Sequence, residues 1–300
     1  MIVLSLFNGM STGHTALDNV GIKVDKYYSS EIKPAAIKLT QHHYPDTIQV
    51  GDVTKWKEWD INWKEIDMVL SGSPCQDLSI AGKRKGLEGE RSSLFWVFVD
   101  ILNHIKELNP DVLFLQENVG SAPKKDVGIM SRALGVYPVR INSSLVTAQM
   151  RDRYYWSNIR TTADGFLGDI KTDIPQPKDK KIMLKDILTS GSVERTEQSL
   201  YIKKEKNFTT LIRNKHTCLN TGSGTSVSQK SLIKRDSTTN MITLIQEKDK
   251  VRTANKIEMC RLQGFADDWC DILNRQQAGS LLGDGWTLPI IEHIFSFIKK

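Results

Sequence analysis

The 300-residue chain is 39% hydrophobic and 25% charged, with nine prolines and twenty glycines, which excludes disordered, collagenous and coiled-coil classes and sets a prior of two domains. Its four cysteines, Cys75, Cys218, Cys260 and Cys270, form no CxxC pair, so neither a disulfide framework nor a metal site is expected, and a reducing compartment fits. The net charge of +6 is unevenly spread, with 18 Lys/Arg against 9 Asp/Glu in residues 171–256: either a solvated lysine-rich face or a surface that meets a polyanion.

In chain order, Ile2–Phe7 reads as a buried strand, followed by a glycine turn and a helix over Gly13–Val20. Val24–Ser30 is a second strand. Lys33–His43 is helical and starts near Pro34, a favoured early helix position. Ile48–Val53, Asp67–Ser71 and Asp111–Gln116 are three further strands, with a helix across Ser93–Leu108. Strands interleaved with helices predict βαβ units and a mostly parallel sheet, an α/β fold. No apolar run approaches the roughly 20 residues of a membrane span, and no basic segment precedes the apolar N-terminus as in a secretory signal. After about Gly165 the character changes. Asp173–Lys181 reads as an exposed loop and Asn220–Gln229 as a Gly/Ser/Thr loop. Thr209–Arg213 and Met241–Ile245 are candidate strands, apolar spacing resumes over Ile257–Phe265, and a last helix falls at Ile290–Ile298. The expectation is a small basic insertion in an α/β domain to which the C-terminus returns.

Six features carry chemistry. Phe7-Asn8-Gly9-Met10-Ser11-Thr12-Gly13 links the first strand to a helix, and glycine there lets the backbone approach a ligand. Glu31 ends the second strand and Asp52 the third. Such acids are either solvated strand ends or, at the carboxyl edge of an open α/β sheet, acceptors for a ribose and an adenine amino group. The loop lacks the GxGxxG fingerprint of dinucleotide binding. Cys75 follows a strand in Ser71-Gly72-Ser73-Pro74-Cys75-Gln76, where a cysteine is either a small buried residue or a presented nucleophile acting as thiolate. The stretch Leu78–Arg91, with three glycines around Lys83-Arg84-Lys85, reads as a mobile basic lid or a disordered loop. Glu117-Asn118-Val119 closes another strand and offers a carboxyl group for proton transfer. In Gln149-Met150-Arg151-Asp152-Arg153 an extended backbone would point Arg151 and Arg153 the same way, to grip a carboxylate, phosphate or carbonyl, or to form surface salt bridges.

In this order, LFNGMSTG, Glu31, GDV, GSPCQDLS, ENV, QMRDR, RLQGF (Arg261–Phe265) and LLGDGW, the chain resembles the C5-cytosine DNA methyltransferases over nearly its whole length. LFNGMSTG, SPCQDLS and LLGDGWTLP look most like the branch that includes the animal de novo enzymes. It departs from the usual family pattern at Ser11-Thr12, where a second glycine pair is common, and at Gly283-Asp284-Gly285, where Gly-Asn-Ser is usual. The resemblance implies a Rossmann-like, S-adenosylmethionine-dependent methyltransferase fold. It implies a catalytic domain of residues 1–160 and 251–300 and a target-recognition region of residues 161–250. Cys75 would attack C6 of a cytosine flipped out of double-stranded DNA. Glu117 would hold N3 and the exocyclic amine, and Arg153 O2, with Arg151 in support. Ser73, Pro74, Gln76 and Asn118 would line the substrate site. S-adenosyl-L-methionine would be held by Phe7, Asn8, Gly9, Met10, Ser11, Thr12, Glu31, Asp52, Val53, Asp284, Gly285 and Trp286.

Two other readings stand beside this one: a tRNA cytosine-5 methyltransferase of the same fold, and a silent DNA-binding homologue. The RNA relatives carry Cys-Phe-Thr where this chain has Thr217-Cys218-Leu219, and a pure binder does not need Cys75. The lack of appended domains points to a cytoplasmic enzyme of a prokaryotic or phage-infected cell, with no membrane partner. Oligomeric state and recognition sequence are left open.

Overall fold

Near-continuous apolar strands such as Ile2-Val3-Leu4-Ser5-Leu6 are what a parallel sheet covered on both faces requires. The computed structural model describes residues 1–74, 94–164, 168–193, 214–226, 228, 243–248 and 250–299. Its main sheet has the order β3-β2-β1-β4-β5-β7-β6. The strands are β1 (Ile2–Leu6), β2 (Lys26–Ser30), β3 (Ile48–Gln49), β4 (Met68–Ser71), β5 (Leu113–Val119), β6 (Val139–Asn142) and β7 (Asp152–Ser157). Strands β1 to β5 are parallel, and β7 runs antiparallel to β5. The helices between them are α1 (Thr12–Asn19), α2 (Pro34–His43), α3 (Leu94–Leu108) and α4 (Lys124–Leu134). Strand order reverses between β1 and β4, so the loop after β1 opens at the switch point where such sheets bind ligands.

One face of the sheet carries Leu4, Leu6, Val69, Phe114 and Trp156, buried against the apolar stripe Phe95, Phe98, Ile101, Leu102 and Ile105 of α3. On the other, α1 lies so close that a Cβ at Gly13 would stand 2.4 Å from Leu70 Cδ1 and force that side chain to shift.

Two strands depart from expectation. The third stops at Gln49 rather than Val53. Gly51 turns to φ +81°, and Asp52 caps a 3-10 helix over Val53–Glu58 by accepting from the Thr54 amide at 2.9 Å. A local side-chain bond has here displaced sheet pairing. The fifth runs on past Gln116 to Val119, because β7 pairs with it in the register Glu117↔Tyr155 and Val119↔Arg153.

The chain packs as two units, residues 1–141, 152–176 and 290–300 in the first and 142–151 and 177–289 in the second. The first also holds the hairpin β8 (Thr161–Asp164) and β9 (Asp169–Thr172). Helix α8 (Leu288–Phe295) joins it from Ile290 onward: Glu292 accepts from Asn19 at 2.6 Å, and His293 Nε2 meets the Pro175 carbonyl oxygen at 2.7 Å. The second unit contains α5 (Leu184–Ile187), the hairpin β10 (Ile245–Glu247) and β11 (Lys250–Arg252), α6 (Lys256–Gln263) and α7 (Arg275–Asp284). The expected strand Thr209–Arg213, and Met241 and Ile242, lie outside the described residues. Loop 220–224 lies backbone-to-backbone on α7. A Cβ at Gly283 would stand 2.2 Å from the Asn220 carbonyl, and one at Gly279 2.2 Å from the Gly224 nitrogen. Among the described residues no helix is long and apolar enough to cross a membrane.

Candidate active site

The loop after β1 is held in a backbone shape that side chains resist. Phe7, Gly9 and Ser11 all have left-handed φ, +56°, +58° and +57°, at a cost of about 1–3 kcal/mol for each non-glycine residue. A buried network behind the loop sustains it. Asn8 Nδ2 donates to Ser11 Oγ at 2.8 Å and to Thr40 Oγ1 at 3.2 Å, and Ser11 Oγ lies 2.8 Å from Thr40 Oγ1. Tyr27 donates its hydroxyl to Asn8 Oδ1 at 3.2 Å. Because its hydroxyl is engaged there, Ser11 does not cap α1. Behind it His14 is stacked between Tyr27 and Tyr44, with ring centroids 4.4 and 3.8 Å away. Burial holds the imidazole below its usual range, against the opposing pull of Asp18, and pushes the Tyr44 phenol up to about 12. Thr40, Tyr27 and His14 went unseen in sequence, since they meet the loop only through tertiary packing.

The two acids face this loop's side of the sheet. Glu31 accepts from the Gly9 amide at 2.8 Å, and from the amides of Ile32 and Lys33 at 2.8 and 2.9 Å. These three bonds fix the carboxylate and leave room for one more donor among its roughly four lone-pair sites. Asp52 Oδ1 is committed to Thr54, and Val53 is buried at the start of the 3-10 helix. Met10 and Thr12 are buried.

Near the end of β5 and the start of β7, Glu117 and Arg153 form an ion pair with Nε 2.7 Å from Oε1, both side chains nearly buried. Antiparallel pairing delivers Arg153: its register partner is Val119, two residues from Glu117 on the same face. Ser73 is buried and accepts from Gln116 Nε2 at 3.0 Å, while Asn118 is buried and bonds the Val119 amide through Oδ1. Pro74 is the last described residue before Cys75, Gln76 and the expected lid Leu78–Arg91, which lie outside the described residues.

Arg151 and Arg153 fall in different units, so the extended run expected over residues 149–153 does not carry both into one pair. Arg151 is buried and fully engaged within the second unit. It donates to the carbonyls of Leu219 (3.1 Å), Gly283 (3.1 Å) and Gly285 (2.8 Å), and touches Cys218 Sγ at 3.2 Å. This crosslinks the 218–219 segment to the turn carrying Asp284, Gly285 and Trp286. Gln263 donates to Leu282 and Gly285 and accepts from Thr287 at 2.8 Å, and Gln149 accepts from the Leu219 amide at 2.7 Å. The resemblance had not assigned Gln149 or Gln263; both stand inside its motifs.

A mostly parallel seven-stranded sheet with a shaped loop at its switch point and acids after β2 and β3 defines a methyltransferase architecture. The solved Dnmt2 methyltransferase of S. pombe matches it with a TM-score of 0.63, over 99% of this chain and 98% of that one at 17% identity. The C-5 cytosine-specific DNA methylase family matches residues 1–300, and the chain belongs to it. The orphan methyltransferase M.SPRI of Bacillus phage SPR is 32% identical over 222 residues, 69% of this chain and 49% of that protein. The type II methyltransferase M.NgoBV of Neisseria gonorrhoeae is 30% identical over 218 residues, 67% of this chain and 49% of that protein. The chain thus spans about half the length of these curated relatives. The family implies a methyl donor and a DNA substrate.

Proposed function

We propose that the chain is a DNA (cytosine-5-)-methyltransferase acting on double-stranded DNA with S-adenosyl-L-methionine. The observation that carries this reading is the Glu117–Arg153 pair at the strand ends beside Ser73-Pro74. It offers, side by side, one group to meet N3 and the exocyclic amine of cytosine and one to meet O2. Inside a duplex the ring is closed to face-on attack, so the target base must be flipped out. The Cys75 thiolate adds to C6, Glu117 supports the charge that builds on the ring, and C5 becomes nucleophilic. When bound, S-adenosyl-L-methionine supplies the methyl group that C5 accepts. Loss of the C5 proton then expels Cys75 and restores aromaticity.

The donor set suits that cofactor. Glu31 is fixed by three amides and keeps room for a ribose hydroxyl, Asp52 follows β3, and the left-handed backbone at residues 7, 9 and 11 brings main-chain groups to the sheet edge. We assign the basic region 161–250 to target recognition. The phage and bacterial relatives support a prokaryotic or phage-infected setting, in the cytoplasm.

The test is methyl transfer from labelled S-adenosyl-L-methionine to duplex DNA and to tRNA, followed by bisulfite sequencing of the DNA. Label in DNA that maps to cytosines, and none with Cys75→Ala although that variant still binds cofactor, supports the proposal. Label in tRNA alone, or wild-type turnover by Cys75→Ala, refutes it.

A further inference from the structure

Gln116 interrupts the apolar run Leu113-Phe114-Leu115 of β5 and is fully buried. The family motif begins one residue later, at Glu117. Its carboxamide nitrogen uses both N–H groups: one donates to Ser73 Oγ at 3.0 Å, the other to the Glu117 carbonyl at 2.7 Å. Ser73 stands two residues before Cys75, and Glu117 is the next residue along the strand. One amide group thus joins the turn that leads to the nucleophile with the residue that meets the base.

The same side chain is poorly satisfied as a structural element. Its Oε1 has no hydrogen-bond partner among the described residues, nor has the hydroxyl of Ser71, its register partner on β4. A buried acceptor left without a donor destabilises a fold, and an apolar residue of the same size removes that penalty. Leucine or methionine would remove that penalty but also take the donor from the buried Ser73 hydroxyl and the Glu117 carbonyl, so packing alone gains little from the glutamine and its use lies in the bridge.

We infer that Gln116 is a positioning residue for the methyl-transfer reaction: its Nε2 bridge between Ser73 and Glu117 sets the spacing of the nucleophile turn against the base-binding carboxylate. The inference rests on the proposed cytosine chemistry. Loss of the bridge leaves each strand intact but lets the two ends drift, and a misplacement of about 1 Å can lower a rate by around a hundredfold. Binding of DNA and of cofactor does not pass through this amide, so the loss belongs in kcat rather than KM.

The test compares wild type with Gln116→Leu, Gln116→Met, Ser73→Ala and the Gln116→Leu/Ser73→Ala double variant. The readouts are thermal unfolding, kcat and KM for both substrates, and the single-turnover rate of adduct formation on 5-fluorocytosine duplex with S-adenosyl-L-methionine. The expected result is a Tm close to wild type for the Gln116 variants, since the lost Nε2 bonds and the removed Oε1 penalty roughly offset, a fall of about 10- to 100-fold in kcat and adduct rate, and KM values within about twofold. The double variant should be no slower than the slower single, because both substitutions cut one bridge. A kcat within twofold of wild type, a Tm loss in both Gln116 variants that accounts for the lost activity, or additive effects in the double variant overturn the inference. A wild-type protein that forms no adduct overturns the proposed function instead, and this inference with it.

Discussion

Replacing Gly283 by alanine sets two effects of opposite sign against each other. Inside a helix alanine is favoured over glycine by about 1 kcal/mol, so helix propensity alone predicts a more stable protein. The new methyl group would lie 2.2 Å from both C and O of Asn220 and 2.7 Å from the Thr221 nitrogen, all of them backbone. Ordinary carbon contacts are 3.5–4.0 Å, so loop 220–224 must retreat by roughly 1.3 Å. That loop is pinned: the Leu219 amide donates to Gln149 at 2.7 Å, its carbonyl accepts from Arg151 at 3.1 Å, and the Gly224 carbonyl accepts from Arg275 at 2.9 Å. Overpacking of this kind costs about 2 kcal/mol, and one lost hydrogen bond about 1 more. Offset by the propensity gain, the net loss is about 2 kcal/mol, a fall in Tm of about 8 °C for a unit of this size. The control is Gly128→Ala on α4, where a Cβ would meet only Arg132 Nη1 at 3.5 Å, and stability should rise by up to about 1 kcal/mol. Thermal unfolding followed by circular dichroism reads both. A Gly283→Ala protein that melts at or above wild type refutes the close packing of loop 220–224 on α7.

Glu258→Gln should destabilise the second unit by about 2 kcal/mol, because Arg252, whose Nη1 lies 2.7 Å from the fully buried carboxylate, keeps only the exposed Glu247, 2.9 Å from its Nε, as a charge partner. Burial alone would raise the Glu258 pKa, but hydrogen bonds from Arg252, Asn255 and Thr189 hold it below the ordinary value near 4.5. The contribution is therefore complete above about pH 4.5 and is lost as pH falls through the lower folded value. The Tm gap between wild type and variant should close on acidification, and a gap that widens toward low pH would contradict the assignment. Glu117→Gln should lower methyl transfer by about a hundredfold or more while DNA binding persists; a wild-type rate in the labelled-methyl assay removes Glu117 from the chemistry.

Five of the seven strands were legible as short runs between helices, and the order of the motifs gave away the class, while β6 and β7 went unread. The limits of β3 and β5 were not legible, for one reason in two forms. At Asp52 a carboxylate prefers a backbone amide two residues on, and at Glu117 a strand that approaches from 38 residues downstream extends the pairing. Neither contact leaves a periodic signal. Alternation suggested a shared face for Arg151 and Arg153, but the chain passes from one packing unit to the other between residues 151 and 152. The first guanidinium goes to three carbonyls, the second to a carboxylate. Phe7 and Ser11 show the opposite case: glycine marked the turn, while the left-handed backbone at its two neighbours depends on Thr40 and Tyr27.

The two halves of the first unit's site are held rigid by different means. The loop after β1, proposed to meet the cofactor, is strained locally, at Phe7 and Ser11, and a buried hydrogen-bond network from α2 and β2 offsets that strain. The base-side pair needs no strain, since paired strands fix both Cα positions and leave only side-chain rotamers to be set. A nearly buried ion pair contributes little net stability, because desolvation cancels most of the attraction. Its value is orientation: two charged groups already aimed before a base arrives need no reorganisation when charge builds on the ring. On the proposed roles, loosening the loop should weaken cofactor binding first and loosening the pair should slow chemistry first, so Glu117 and Gln116 variants are expected to fall in one kinetic class and Thr40 and Tyr27 variants in another.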